Sequence, residues 1–206
     1  MYEYRTLSRE AQRRLVDERR LRGVPLHDLP HRTNPAILYL LTATNTDHQP
    51  IMDTPARRDE FAHKLLSRFS ALPDAELFAW CLLPNHYHLL AHVELEEFAA
   101  MVKPLHNGTS TQWNREDNMV GRAVWFSFSD RDIRGDRHFW ASLNYIHANA
   151  AKHGYCKNAF DWPWSSVHDF ALEHGKAELS RLWKEYPVRD YGKGWDRGRL
   201  GDKGSE

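Results

Sequence analysis

The segment Pro84-Asn85-His86-Tyr87-His88-Leu89-Leu90 sets two imidazoles two residues apart in a stretch that reads as a β-strand. Residues i and i+2 of a strand point to the same face, so His86 and His88 make up half of a divalent-metal site. The plain alternative is two polar residues on the solvated side of a hairpin. Leu83, Tyr87, Leu89 and Leu90 make the surroundings apolar and favour a recessed site. Two histidines are too few for a catalytic cation, so a third ligand has to come from elsewhere in the chain. The stretch from Asp136 to His153 offers one. Its apolar residues Phe139, Leu143, Ile146 and Ala150 form one helical stripe, and Ser142, Tyr145, Asn149 and Lys152 form another. On the second stripe Asn149 could supply an oxygen ligand, Tyr145 a hydroxyl nucleophile and Lys152 a phosphate contact. The plain reading of Tyr145 is a half-buried packing residue.

These groups need a framework. Ala36 to Thr44 reads as a buried strand, and Pro55 opens a helix carrying Phe61, Leu65, Phe69 and Leu72 at helical spacing. Leu77 to Leu83 and His86 to Val93 read as strands paired through a Pro84-Asn85 turn. A helical pattern runs from Leu95 to about Trp113, with Pro104 able to kink it or Asn107-Gly108 to divide it. Val124 to Phe128 reads as a fourth strand, followed by the helix from Asp136, closed by Gly154. The order β-α-β-β-α-β-α predicts an α+β fold whose first six elements make a ferredoxin-like split βαβ antiparallel sheet with helices on one face.

Before it, residues 1–34 read as a basic arm, with eight Arg against five acids up to residue 32 and a capped helix expected from Arg9 to Arg22. After the body (35–155), residues 156–206 hold the turn Asp161-Trp162-Pro163-Trp164, expected to pack the tail onto the body, two short helical patterns and a Gly-rich end expected to be mobile. The 206 residues carry 28 Lys+Arg against 28 Asp+Glu. A nucleic-acid role therefore has to rest on local patches and a specific site, not on overall charge. No run approaches the roughly 18 apolar residues of a membrane span. Two cysteines, Cys81 and Cys156, make no disulfide framework, and Met1-Tyr2-Glu3-Tyr4-Arg5 has no apolar signal core, so a cytoplasmic location is expected.

Several motifs, in order, resemble the single-tyrosine HUH transposases, and among them the REP-associated tyrosine transposases. They are Tyr2-Glu3-Tyr4-Arg5-x-Leu7, Thr42-Ala43 with Gln49-Pro50-Ile51-Met52, Leu83 to Leu90, and Trp113-Asn114-Arg115-Glu116-Asp117. Gly121-Arg122-x-Val124-Trp125, Leu143-Asn144-Tyr145-Ile146-His147-x-Asn149 with Lys152-His153-Gly154-Tyr155, and Asp161 to Ser166 complete the set. The resemblance implies an HUH nuclease domain in which His86, His88 and Asn149 bind Mg²⁺ or Mn²⁺ and Tyr145 attacks single-stranded DNA. Cleavage would leave a 5′-phosphotyrosine and a free 3′-OH, with no nucleotide cofactor. The implied partner is the hairpin of a repetitive extragenic palindrome (REP), and the implied state a monomer, although related transposases are dimers.

Arg13, Arg14, Arg19, Arg20 and Arg22 of the arm, with Arg115, Arg122, Arg131, Arg134, Arg137 and Lys152, are the candidate DNA contacts; a solvated helix face is their plain reading. Lys152, His147 and His153 remain open as acceptors of the tyrosine proton. Two positions depart from the family pattern: Ala150 stands where Pro is common after the Asn, and Phe126 where Tyr is common after the Trp. A hairpin-binding protein without cleavage is the alternative from another class. A zinc hydrolase is weaker, because no third zinc ligand lies at suitable spacing in the hairpin strands.

Overall fold

The computed structural model describes residues 38–189 and 191–192. The chain divides into two units, residues 1–35 and 36–206, and all described residues lie in the second. The expected arm helix, its five arginines and the last segment from residue 193 lie outside the described residues.

Four strands form one antiparallel sheet in the order β2-β3-β1-β4. They are β1 (Leu38–Thr44), β2 (Glu76–Leu82), β3 (His86–His92) and β4 (Ser129–Asp132). With α1 (Pro55–Phe69) after β1 and α2 (Leu95–Glu116) after β3, this is the expected split βαβ arrangement. The β1–β3 register sets Leu41 opposite Leu89 and Thr42 opposite His88, so strand alternation gives the sheet two distinct faces. On one face Tyr39, Leu41, Ala43, Tyr87, Leu89 and Ala91 join Phe61 and Leu65 of α1 and Phe98, Val102 and Leu105 of α2 in the main core. Thr54 caps α1, its hydroxyl accepting from Arg57 N–H, and Pro55 takes the first turn, where no backbone donor is needed. α2 runs unbroken through both Pro104 and Asn107-Gly108. Its buried stripe, Phe98, Val102, Leu105, Thr109 and Trp113, keeps helical spacing across both points and holds the turns against the core.

The fourth strand is not where the apolar run predicted it. Ser129–Asp132 pair with β1, whereas Trp125 makes only an isolated bridge to Asn45. The reason is packing. Val124 is buried, Trp125 stacks on His106 with ring centroids 4.2 Å apart, and Phe128 meets Phe98 edge-on. This run descends into the core beneath α2, and the ladder falls to polar residues that suit an exposed edge strand.

The second face of β2 and β3 is covered by α3 (Asp136–Lys152), with Phe139 against Phe78 and Tyr145 against His88. α3 ends in a Schellman motif. Gly154 N–H donates to Ala151 O, Tyr155 N–H to Ala150 O, and Gly154 takes φ 78°, a conformation open to glycine without strain. Beyond it, α4 (Val167–His174) and α5 (Lys176–Glu185) pack on the outside of α3. The buried Asn144 amide donates to Leu182 O at 2.8 Å and Tyr186 O at 2.9 Å, closing the C-terminal turn of α5. The aromatic turn packs the tail on the body as expected. Trp162 Nε1–H donates to Leu82 O, and Trp164 lies 4.0 Å from the Arg58 guanidinium.

Candidate active site

His86 and His88 alternate onto the face of β3 that α3 covers, with ring centroids 4.9 Å apart. α3 brings Tyr145 and Asn149 to the same place, since residues four apart lie one above the other on a helix. The Tyr145 hydroxyl is 3.4 Å from His88 Nε2, and their ring centroids are 5.1 Å apart. All four side chains are at most 1% exposed. The structure thus gathers the predicted tyrosine, two histidines and amide, which are separated by up to 63 positions in sequence. Ala150, at the common Pro position, is buried within the unbroken helix and leaves this geometry undisturbed.

Each imidazole is anchored through Nδ1. His88 Nδ1 lies 2.7 Å from Thr42 Oγ1, and His86 Nδ1 2.7 Å from Asn85 Oδ1. Asn85 is itself oriented, its Nδ2–H donating to His48 O at 3.1 Å, which leaves Oδ1 as the acceptor. Asn85 Oδ1 can only accept, so His86 donates through Nδ1–H and keeps its lone pair on Nε2; His88 would do the same with Thr42 Oγ1 as its acceptor, the tautomer a metal ligand needs. Asn149 Oδ1 and Nδ2 are buried without a hydrogen-bond partner. A buried carboxamide with both ends unsatisfied is costly unless something else engages it, and a cation beside two Nε2 lone pairs would do so. The residues therefore fit a divalent ion held by two imidazoles and an amide oxygen. Among the described residues no three His, Cys, Asp or Glu side chains come together to hold a metal. Cys81, opposite His88 in register, hydrogen-bonds Ala150 backbone and Ser165, and burial pushes its thiol up to about 12.

The remaining predicted residues separate. His147 leaves the site for the outer side of α3, where Nε2 lies 3.1 Å from Ser166 Oγ and the ring meets Phe170; burial pushes its pKa down to about 3. It is no acceptor for the Tyr145 proton. Lys152 Nζ lies 4.7 Å from the Tyr145 ring centroid, and the His153 ring 5.1 Å from that of His86. Arg115 is exposed on the last turn of α2. Arg122 has an internal role, with Nε–H donating to Asn114 Oδ1 and Nη2 to Asp117 Oδ2, where Arg57 also binds. Arg57 and then Arg122 hold the Asp117 carboxyl below its ordinary range. Phe126, at the other departure, is 45% exposed.

Thr42 and Asn85 are site residues that motif reading passed over as parts of a strand and a turn. Thr42 carried a faint signal, as the single polar residue between Leu38 and Ala43. Tyr191 carried none. Its ring centroid is 5.8 Å from that of Tyr145, its hydroxyl bonds Ser142 Oγ, and its carbonyl accepts from Lys152 Nζ at 2.9 Å.

No family model matches the chain. A segment of 104 residues is 31% identical to a protein of Haemophilus influenzae provisionally named as a REP-associated tyrosine transposase, covering 45% of this chain and 59% of that protein. A segment of 99 residues is 26% identical to a REP-associated tyrosine transposase of Escherichia coli K12, covering 45% and 54%. The matched region thus spans less than two thirds of either relative. Among solved structures, a REP-associated tyrosine transposase bound to a REP hairpin superposes with a TM-score of 0.54 over 71% of this chain and 86% of that one, at 19% identity. The shared fold is the finding there.

Proposed function

From the premise that this chain is similar in sequence to REP-associated tyrosine transposases and has the fold of one, we propose that it is a single-strand DNA endonuclease and strand transferase acting on REP hairpins, with Tyr145 as nucleophile. One observation carries the reading. Tyr145 and Asn149, one turn apart on α3, lie on the face of β3 that presents His86 and His88, with the phenol 3.4 Å from His88 Nε2. A core tyrosine needs a partner for its hydroxyl; it does not need a neighbouring carboxamide left unsatisfied.

His86, His88 and Asn149 would hold Mg²⁺ or Mn²⁺, which supplies charge neutralisation at the scissile phosphate. Tyr145 Oη attacks phosphorus as its proton departs, the new P–O bond forming as the P–O3′ bond breaks and the 3′-oxygen leaves as a hydroxyl. Because the phosphodiester is exchanged for a phosphotyrosine ester, a second 3′-OH can reverse the step and join strands with no nucleotide cofactor. Lys152, whose Nζ lies 4.7 Å from the centre of the Tyr145 ring, can turn to a phosphate oxygen. Arg115 and the arm arginines Arg13, Arg14, Arg19, Arg20 and Arg22 would contact the DNA backbone, while Arg122 braces Asp117.

One chain contributes every ligand and the nucleophile, which supports action as a monomer. A cytoplasmic location suits the substrate, and no described helix is long and apolar enough to cross a membrane. The test is incubation of wild type, Tyr145→Phe and His86→Ala with a labelled single-stranded REP hairpin and Mn²⁺, read on a denaturing protein gel. A covalent band confined to the wild type is expected. Tight binding with no band in any of the three would favour the hairpin-binding alternative and overturn the proposal of cleavage.

A further inference from the structure

From the nucleophile to the surface, the rings of the site form a row. The Tyr145 ring centroid is 5.1 Å from that of His88, His88 4.9 Å from His86, His86 5.1 Å from His153, and His153 6.4 Å from Tyr155. The row follows α3, because Tyr145, Asn149 and the C-cap His153 succeed one another at four-residue steps along one side of the helix. Tyr145 thus stands at one end, the three candidate metal ligands in the middle and Tyr155 at the other end. There the row comes out of the protein, with Tyr155 41% exposed. Tyr155 is nevertheless held in place. Its N–H donates to Ala150 O at 3.0 Å, and its ring centroid lies 5.5 Å from that of Trp162. Trp162 is itself buried, donates Nε1–H to Leu82 O and lies 5.1 Å from the Arg58 guanidinium. The result is an aromatic ring braced on one side and open on the other.

The segment around it carries one sign of charge. Residues 152–155 and Lys157 are exposed, and from Arg137 to Phe160 the chain has no Asp or Glu, although it has 28 in all. The first acid beyond, Asp161, is turned to the Asn158 N–H. An exposed ring between lysines suits an unstacked base and its phosphates, since every base has a π-face. The reaction decides which base. In-line displacement sets the leaving oxygen opposite the attacking one. With Tyr145 Oη attacking from one end of the row, O3′ departs towards the other, and the nucleotide that carries it lies over His153 and Tyr155. We infer that Tyr155, braced by Trp162, is the platform on which the base on the 5′ side of the scissile phosphate stacks, with Lys152 and Lys157 beside its phosphates. This inference rests on the reaction proposed above and adds to it a base-binding residue and a direction for the strand. Stacking there keeps the released 3′-OH beside the phosphotyrosine, the arrangement that the reverse step needs.

The test uses the full-length chain and REP hairpin oligonucleotides in which 2-aminopurine, a base whose fluorescence is quenched on stacking, is walked one position at a time through the single-stranded flanks. Binding is followed without added metal for wild type, Tyr155→Phe and Tyr155→Leu, each with a thermal melt. The scissile phosphate is mapped separately, from the covalent product formed with Mn²⁺. Wild type and Tyr155→Phe are expected to quench the nucleotide that ends in the released 3′-OH. Tyr155→Leu is expected to leave that nucleotide bright and to bind about tenfold more weakly. An abasic site at the same position is expected to weaken wild type by the same factor and Tyr155→Leu no further, a comparison that holds even if the leucine variant is less stable. If quenching depends on Tyr155 at no position, the platform is overturned. A Tyr155-dependent position on the 3′ side of the mapped phosphate would overturn the assigned direction. Tyr155-dependent quenching with no covalent band would uphold the platform and strike the strand-transfer reading together with the direction drawn from it.

Discussion

Replacing Thr42 by valine removes one hydroxyl at nearly constant shape, and with it the group 2.7 Å from His88 Nδ1. His88 is 0% exposed, so water does not readily substitute. Leaving its N–H without an acceptor costs about 1–3 kcal/mol. The ring can recover part of that by moving its proton to Nε2 and donating to the Tyr145 hydroxyl, already 3.4 Å away. That tautomer has no lone pair on the nitrogen a metal would use, so the same free energy reappears as lost cation affinity. About 1.4–2.7 kcal/mol corresponds to roughly 10–100-fold, the usual cost of losing a group that orients a metal-bound histidine. The assay is Mn²⁺ titration followed by electron paramagnetic resonance on wild type, Thr42→Val and Thr42→Ser, each with a thermal melt. Serine keeps the hydroxyl and is expected to restore affinity to within a few-fold. Equal affinity in wild type and Thr42→Val, or equal losses in Thr42→Val and Thr42→Ser, would refute the anchoring argument.

Asn149→Ala is expected to abolish Mn²⁺ binding and covalent DNA capture while leaving the melting temperature unchanged or slightly raised, because both polar ends of that buried carboxamide lack partners; a large loss of stability would show the amide to be structural. Asn144→Ala, which removes the amide's bonds to the carbonyls of Leu182 and Tyr186, is expected to cost about 2 kcal/mol in denaturant unfolding, at about 1 kcal/mol per hydrogen bond. His147 is held neutral with a pKa near 3, below the usual histidine value, so the unfolded chain binds the extra proton between those two values. Its contribution is therefore complete above about pH 6.5 and falls as the pH drops, by about 2 kcal/mol at pH 5. Stability measured from pH 7 to 5 should decline less in His147→Gln than in wild type.

Phe61 and Leu65 lie on the inner side of α1, and Phe98, Val102 and Leu105 on that of α2, as their spacing predicts. The fourth strand escaped because its ladder residues, Ser129 to Asp132, are polar, while the apolar run before them belongs to the core. Apolar periodicity reports burial. Pairing on an exposed edge leaves little trace in it.

By itself the chain's sequence determined which side chains share a face. His86 with His88 follows from the two-residue repeat of a strand, and Tyr145 with Asn149 from the turn of a helix, both properties of local backbone geometry. Only the tertiary structure decided which faces meet and what lies between them. Thr42 reaches His88 across 46 positions, His147 turns away from the nucleophile only two residues from it, and Gly192 comes to rest on the ring of Tyr145. Contacts between segments distant in the chain depend on how the sheet, α3 and the tail pack together, and no local pattern of residue types encodes that packing.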